Sequence, residues 1–576
     1  QNIVMSKQKP SIRIGGASGF WGDVAIATSQ LLRAGDLDFL VHDYLADVTM
    51  AILARTIAAK PETGYASDFV TAAMALNLKE IASQGIRVIS NAGGLNPLAC
   101  ADALRRVTVE QGLELKVAVA TGDDLMVQIE DVCGSKPIEM FSNVDLPAKD
   151  SIGIVNAYLG AYPIAMLLER GADIVVTGRC VDSAVTLGAC IHAFSWSYHS
   201  YALLSAGSLA SHILECGPQA TGGNFTDWEE IEDGFEDIGY PIVEIFKDGR
   251  SIISELKRTG GVVSTEAVCE KIAKNQIKVR GAKGRMAPDT YKICLTFHDG
   301  YCGGHLFGFY GIDAEKKANA YARAALVRSR RALVAINAAD FTQTEIEVIE
   351  AEAQFGTMRQ SPIAREIAIK TGVRHPEARG DEVLLREATE LSLSAPPGLN
   401  GFAGARPKSS PVLALFSFLM HKADVVTHIH DDKGLAVSNA FKSSADSEPP
   451  MGPTEPDAPD VSDDLIDVPV IQIASACSGD KGDHANVGII AGKPEYLPFL
   501  WHGIDQILLD RVFGHFVKGS IEKYFFLGSD SVNLLLNNAL GGGGTSSLCQ
   551  DPQGKGYSQF LLAATVKIPT DLLREL

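Results

Sequence analysis

Cys216 carries the most reactive side chain in a chemically suggestive setting. It follows Glu215 at the end of a helical pattern that begins near Tyr201, and it leads into the glycine-bearing turn Gly217 to Asn224. A thiol there could face a cleft, with backbone N–H groups beside it to hold an oxyanion. Cys216 then reads as a nucleophile toward a thioester, and Glu215 as its acid or base. His212 lies one helical turn earlier and shares the face. The plain alternatives are a pocket wall and a small buried hydrophobe, the usual condition of a free cysteine.

A second concentration is Ser478-Gly479-Asp480-Lys481-Gly482-Asp483-His484-Ala485-Asn486, set between two strand patterns. Lys481 would pair with a substrate carboxylate or phosphate, and Asp480 or Asp483 would orient it or move a proton. A solvated hairpin is the competing explanation. His428 and His430 sit two apart on a strand pattern, so both face one side, with Asp431 and Asp432 beside them. That arrangement suits either a metal or a polar strand end; no metal site is assigned. Gly16, Gly19 and Gly22 follow the first strand at three-residue spacing, and Asp43 ends the second strand. A dinucleotide site would use both features, but GxGxxG is absent. The glycines otherwise allow a tight strand-to-helix turn or an anion cradle for a carboxylate or a CoA phosphate, and Asp43 otherwise caps a helix.

These groups need elements to hold them. The first 190 residues alternate short apolar runs with helical patterns. Strands are expected at Ser11 to Ile14, Phe39 to His42, Ile86 to Ile89, Leu115 to Ala120 and Ile174 to Val176. Helices are expected through Leu32, over Ala46 to Ala59, Asp68 to Gln84 and up to Gln111, and over Ala161 to Arg170. Such alternation implies βαβ crossovers and a mostly parallel sheet. Ligands of parallel sheets bind outside the carboxyl ends of the strands. Asp23, Asp43, Asn91, Asn96, Arg179 and Asp182 all follow strands, so they should gather near one crevice. Arg179 and Lys481 would anchor an anion there, with Asp182, Glu215 and Asp483 as acid/base groups.

Farther on, Tyr291 to Phe297 and Asp424 to His430 read as strands. Ala314 to Ala335 reads as a long amphipathic helix, and Val412 to Met420 as a buried strand or helix. Residues 441–466 are rich in Ser, Pro, Asp and Glu and read as a flexible linker. The remainder, 467–576, fits a small α+β sandwich. It has strand patterns at Val468 to Ala474, Asn486 to Ile490, Glu522 to Phe526 and Phe560 to Val566, and a helical stretch near Leu497 to Phe513.

Composition excludes several classes. The chain has 576 residues, too many for one core. With 51 Lys and Arg against 70 Asp and Glu, its formal charge of −19 repels nucleic acid, and no dense basic run offsets it. No apolar run is long enough to cross a bilayer, and Gln1 to Pro10 show no apolar leader. Ten cysteines without CxxC spacing read as reduced thiols in an intracellular, cytoplasmic setting.

Six stretches carry a family resemblance. They are Gly15 to Asp23, Asp43-Tyr44-Leu45-Ala46, Asn91 to Pro97, Glu215 to Asn224, Ser478 to Asn486 and Leu540-Gly541-Gly542-Gly543-Gly544-Thr545. The chain resembles the acyclic terpene utilization (AtuA-like) family, formerly a domain of unknown function, in order and over nearly its whole length. Asp47 departs from the usual Glu, and the His428 to Asp432 stretch is outside the pattern. The resemblance implies an α/β fold: an AtuA-type domain with a mostly parallel sheet over 10–440, with a lobe boundary near 230, then a C-terminal α+β ferredoxin-like domain over 467–576. It also implies degradation of terpenoid or branched acids as acyl-CoA thioesters. Tyr44, Gly93, Gly94, Asn224 and Asn486 join the expected substrate-binding residues on this ground.

The resulting expectation is an enzyme acting on a small or branched carboxylic acid or its acyl-CoA thioester, by lyase, hydratase, isomerase or acyl-transfer chemistry. Its site would lie between the N-terminal strand ends and the Asp480–Asn486 loop. No cofactor is expected beyond coenzyme A as part of the substrate, and no nucleic acid or membrane partner; a homodimer or higher homo-oligomer is. The alternatives are a non-catalytic binding or assembly subunit for acyl-CoA enzymes and, behind it, a dinucleotide-dependent oxidoreductase.

Overall fold

The computed structural model describes residues 9–23, 26–224, 226–263, 270–273, 275–360, 364–401, 407–438, 454–459, 464–526 and 528–573. The chain divides into two compact units. One draws on Gln1–Thr296 and Leu415–Met451, the other on Phe297–Ala414 and Gly452–Leu576.

The first unit is built on strands β1 (Ser11–Gly16), β2 (Phe39–His42), β3 (Arg87–Ser90), β4 (Val117–Thr121), β5 (Ile152–Ala157) and β6 (Ile174–Thr177). Five of them lie parallel in the order β4-β6-β3-β2-β1, with Leu40 opposite Val88 and Ile89 opposite Val175. β2 and β6 are buried along their whole length, as strands covered on both faces must be. Antiparallel strands β7 (Pro241–Phe246), β8 (Ser251–Glu255), β9 (Glu270–Ala273) and β10 (Gln276–Val279) extend the sheet beyond β1. The hairpin Thr427–Asp431/Gly434–Ser438 returns to extend it beyond β4. β5 lies off this sheet and pairs with the strand Thr290–Tyr310.

Helices α1 (Ile26–Leu32), α2 (Asp47–Ala59), α3 (Leu78–Gln84) and α4 (Pro97–Glu110) share one apolar core with the sheet. α4 starts where Asn96 accepts the Ala99 N–H and Pro97 takes the first turn. The helix expected over Asp68 to Gln84 is interrupted. Phe69–Met74 winds as a π-helix, and Asn77 donates its side-chain amide to the Ala73 carbonyl before α3 begins. After α5 (Ile129–Ser135), helices α6 (Tyr162–Glu169), α7 (Ala184–Phe194) and α8 (Tyr201–Glu215) pack in series. α8 lies against β1 and β7.

The second unit begins with an antiparallel sheet in which the 297–310 stretch pairs with Glu366–His375, which pairs in turn with Gln343–Ile349. Helices α9 (Ala314–Ala335) and α10 (Ala378–Glu390) close a core over it. Its C-terminal part is a four-stranded antiparallel sheet, in the order Ala474–Lys481, His484–Ala491, Ser531–Leu536, Ile521–Phe526. Leu465–Pro469 pairs separately with Thr565–Pro569. The single strand expected over Val468 to Ala474 is thus two strands, divided where Pro469 offers no N–H. The strand expected over Phe560 to Val566 is a helix end followed by a strand, and Ser531–Leu536 was not anticipated.

The two units divide after Thr296, and residues 297–414 cluster with the C-terminal part. The expected linker at 441–466 lies mostly outside the described residues. Residues 454–459 form no regular element, and the Pro456 carbonyl pairs with His502 Nε2 at 3.0 Å. Among the described residues, no helix is long and apolar enough to cross a membrane.

Candidate active site

The carboxyl ends of β1, β2, β3 and β6 carry the first loop, Asp43, Asn91 and Arg179 in turn. The Gly16 and Gly19 turn faces the last residues of α8. A Cβ at Gly16 would stand 2.7 Å from the Leu214 carbonyl oxygen, and one at Gly19 3.2 Å from that of Glu215. These glycines admit the end of a helix where a side chain would collide. Their effect is to bring Glu215 and Cys216 to the strand ends.

Asp43 is 5% exposed and Asn91 fully buried. The Asn91 Nδ2 donates to Asp43 Oδ1 at 2.6 Å, and the Tyr44 N–H donates to Asn91 Oδ1 at 2.8 Å. Arg179 is 4% exposed. Its Nη1 donates to Asp182 Oδ1 at 2.8 Å, to the Leu45 carbonyl at 2.8 Å and to that of Cys180 at 3.1 Å. The expected anion anchor is therefore a buried clamp between the loops after β2 and β6. Asp43, Asp182 and Glu215 each bring a carboxylate oxygen within 4.8 Å of the other two. Burial pushes the Asp43 carboxyl well above its ordinary range, reinforced by Asp182 and Glu215; Arg179 and the Asn91 hydrogen bond pull the other way. Oxygen donors of this kind are what a hard divalent cation takes.

Residues that the sequence reading missed stand behind Arg179. Its guanidinium carbon lies 4.1 Å from the Tyr158 ring centroid, and the Lys292 ammonium 4.7 Å from the same ring. The Tyr158 hydroxyl donates to Asp47, and Lys292 lies 3.7 Å from the other Asp47 oxygen. Burial raises the Asp47 pKa, but Lys292, Arg179 and the Tyr158 hydroxyl outweigh it and hold the carboxyl below its usual range. Asp123 accepts the Arg179 N–H at 2.8 Å and the Asn156 amide at 3.0 Å, and burial raises its pKa to about 7. Asp123 follows β4 as the expected residues follow their strands, so the same rule would have found it. Tyr158 follows β5, which has no clear period in the sequence. The cavity lined by Asp47, Asn156, Tyr158 and Arg179 is only about 10 Å³, too small for an acyl chain.

The other expected residues are held by neighbours of their own. Asp23 braces the first loop, accepting the Gly19 N–H at 2.9 Å and the Tyr240 hydroxyl at 2.6 Å. Asn96 caps α4 and donates to the Thr63 carbonyl at 3.1 Å. Gly93 and Gly94 permit close packing: a Cβ would meet the Thr177 carbonyl at 2.5 Å and the Gly64 carbonyl at 2.7 Å respectively. Asn224 is exposed with φ +59°. Cys216 Sγ lies 3.4 Å from the His212 carbonyl and 3.9 Å from Glu215 Oε1. The His212 imidazole pairs with Glu215 at 2.9 Å. The expected oxyanion donors are engaged, with Gln219 N–H on the Cys216 carbonyl and Gly223 N–H on that of Pro218.

Asp480, Lys481, Asp483 and Asn486 belong to the other unit, where Asp480 and Lys481 lie within a strand and Gly482-Asp483 forms the tip of a tight hairpin. Asp483 Oδ1 accepts the Gly542 N–H at 2.6 Å, and the Asp483 carbonyl accepts the Ala539 and Leu540 N–H groups. His430 Nε2 pairs with the Thr121 hydroxyl at 2.9 Å. Asp431 pairs with Arg170 at 2.6 Å and Asp432 with Lys116 at 3.7 Å. Among the described residues, neither histidine joins a third metal-ligating side chain. A cavity of about 410 Å³ opens at the opposite, amino-terminal ends of β4 and β6, where Lys116, Arg170, Asp431 and Asp432 line it already paired.

Comparison with known proteins bears on the whole chain. A family model described as acyclic terpene utilisation family protein AtuA matches residues 12–272 and 267–430. A second, described as AtuA ferredoxin-like domain, matches residues 468–567. No curated protein and no solved structure matches the chain.

Proposed function

The chain belongs to the acyclic terpene utilisation (AtuA) family, and we propose that it is an enzyme of small or branched carboxylic acids or their acyl-CoA thioesters, working by proton transfer beside the carbonyl. The observation that carries this is the meeting of Asp43, Asp182 and Glu215, from three separate segments, at the carboxyl edge of a parallel sheet. Proton transfer needs a donor and an acceptor in different environments. Asp43 is enclosed, whereas the Asp182 side chain is 41% exposed beside Arg179. His212, held by Glu215 at 2.9 Å, adds an imidazole at the mouth. Arg179 acts from behind, fixing the loops that carry Asp43 and Asp182. Coenzyme A enters only as part of the substrate.

Acyl transfer through Cys216 is the weaker chemistry here. A reactive thiolate needs a cation beside it. Sγ has the His212 carbonyl oxygen 3.4 Å away and the Glu215 carboxylate 3.9 Å away, both bearing negative charge.

The test is solvent exchange. The full chain is incubated in heavy water with a panel of branched acyl-CoA esters, and the esters are read by mass spectrometry. Deuterium should appear beside the thioester carbonyl and fall at least tenfold in Glu215→Gln and Asp182→Asn. An absence of exchange and of product across the panel, or full exchange in both variants, overturns the proposal.

A further inference from the structure

The acidic trio gathers three carboxyl groups around few fixed cations. Arg179 is paired with Asp182 at 2.8 Å, and Lys292 stands against Asp47 at 3.7 Å. Among the described residues, neither Asp43 nor Glu215 has a lysine or arginine within ion-pair distance, and Arg179 acts on Asp43 from farther off; their contacts are Asn91 and Leu45 for the first, His212 and Cys216 for the second. Carboxyl groups gathered in so enclosed a place are stabilised in their charged form by a cation among them.

Geometry says what kind. Oxygens bound to one ion at the usual bond lengths lie at most roughly 4.2 Å apart across Mg²⁺ and roughly 5 Å apart across Ca²⁺. The three carboxylates fall within the wider of these spans, each offering an oxygen no more than 4.8 Å from the others. An independent observation comes from Asp43 itself. Its Oδ1 is held by Asn91, while Oδ2 is buried and accepts no hydrogen bond. A buried carboxylate oxygen fixed in place without a donor is set up to take a cation.

We propose that Asp43, Asp182 and Glu215 form a binding site for one hard, oxygen-preferring divalent cation. This deepens the reading above and rests on the same site, since a cation there would polarise a substrate carbonyl next to the carbon that loses its proton. Carboxylate oxygens favour these ions over zinc or copper.

Mn²⁺ is the probe, followed by electron paramagnetic resonance on the full-length protein stripped with chelator. One saturable Mn²⁺ per chain is expected, displaced by excess Ca²⁺ or Mg²⁺. Glu215→Gln and Asp182→Asn should each weaken it at least tenfold, while the surface control Asp248→Asn binds as the parent does. Asp43→Asn should abolish it; if that variant does not fold, the two partly exposed positions decide. Absence of saturable binding up to millimolar Mn²⁺, or equal binding in Glu215→Gln and Asp182→Asn, overturns the site. Deuterium exchange that persists in chelator, without Mn²⁺ binding, removes the cation and keeps the acid–base reading. Mn²⁺ binding at the trio without exchange keeps the site and removes that reading.

Discussion

Two regions of this molecule use the same materials, glycines and acidic side chains at strand ends, for opposite purposes. At the carboxyl edge of the parallel sheet, polar groups are buried faster than they are satisfied: among the described residues, Asp43 Oδ2, Arg179 Nε and Asn156 Oδ1 have no hydrogen-bond partner. In the C-terminal hairpin, Gly482-Asp483 meets a run of four glycines, Gly541 to Gly544, all with positive φ. A Cβ on Gly543 would stand 2.1 Å from the Gly482 carbonyl oxygen. There the Asp483 carboxylate closes on Gly542, and Thr545 and Ser546 both donate to the Leu413 carbonyl at 3.1 Å. Lys370 and Glu347 hold the chain just beyond, at Leu548 and Gln550. Among the described residues, no buried side-chain atom of the hairpin or the glycine loop lacks a partner. Unmet polar groups mark a place for a reactant, and met ones mark a joint.

Arg179→Ala should have the largest effect. It strips the cation from between Asp182 and Asp47 and leaves the Leu45 and Cys180 carbonyls without their donor. Removing one partner of a buried ion pair costs about 3–5 kcal/mol. Chemical denaturation of the full chain should show that loss in the first unit. A cost below roughly 1 kcal/mol would mean that water reaches the cluster and that the contrast with the hairpin is false.

Asp123 sharpens the same contrast through pH. Its folded pKa, about 7, lies above that of an unfolded aspartate because burial disfavours its charge. The folded state therefore holds the proton more tightly. The stability it contributes is complete below pH ~4 and is lost as pH rises toward 7, by roughly 4 kcal/mol over the whole window. Asp123→Asn keeps an acceptor for the Arg179 N–H and removes the ionisation. Its denaturation midpoint should change less between pH 5 and 7 than that of the parent, whereas equal slopes would place the titration elsewhere.

Much of this frame was legible in the sequence, because parallel strands covered on both faces announce themselves as short apolar runs. Phe39 to His42 was read to the residue, and Asp43, Asn91, Arg179 and Asp182 follow strands as expected. The division at Thr296 was not legible, since it depends on where the chain returns at Leu415. Nor was the role of Gly16 and Gly19: spacing shows that a backbone must come close to something, not that the something is the end of α8. Tyr158 and Lys292 were hidden for a related reason, as they reach Arg179 through tertiary packing from β5 and a distant strand. The acidic trio draws on residues 43, 182 and 215, so no local pattern joins them.

Asp483 offers the smallest effect and the finest discrimination. As a clasp, it contributes one charge-assisted hydrogen bond to Gly542, worth about 1–2 kcal/mol. Asp483→Ala should lose that amount and speed hydrogen exchange at the Gly542 amide. Asp483→Asn retains a side-chain oxygen able to accept the same N–H, so most of the stability and protection should return. A group that moves protons behaves otherwise, because an amide replaces its shape and not its chemistry. If Asp483→Asn were as stable as the parent yet as poor as Asp483→Ala in solvent exchange into an acyl-CoA ester, the hairpin would be part of the reacting machinery. The line drawn between its satisfied acids and the unsatisfied ones at the sheet edge would then have to be redrawn.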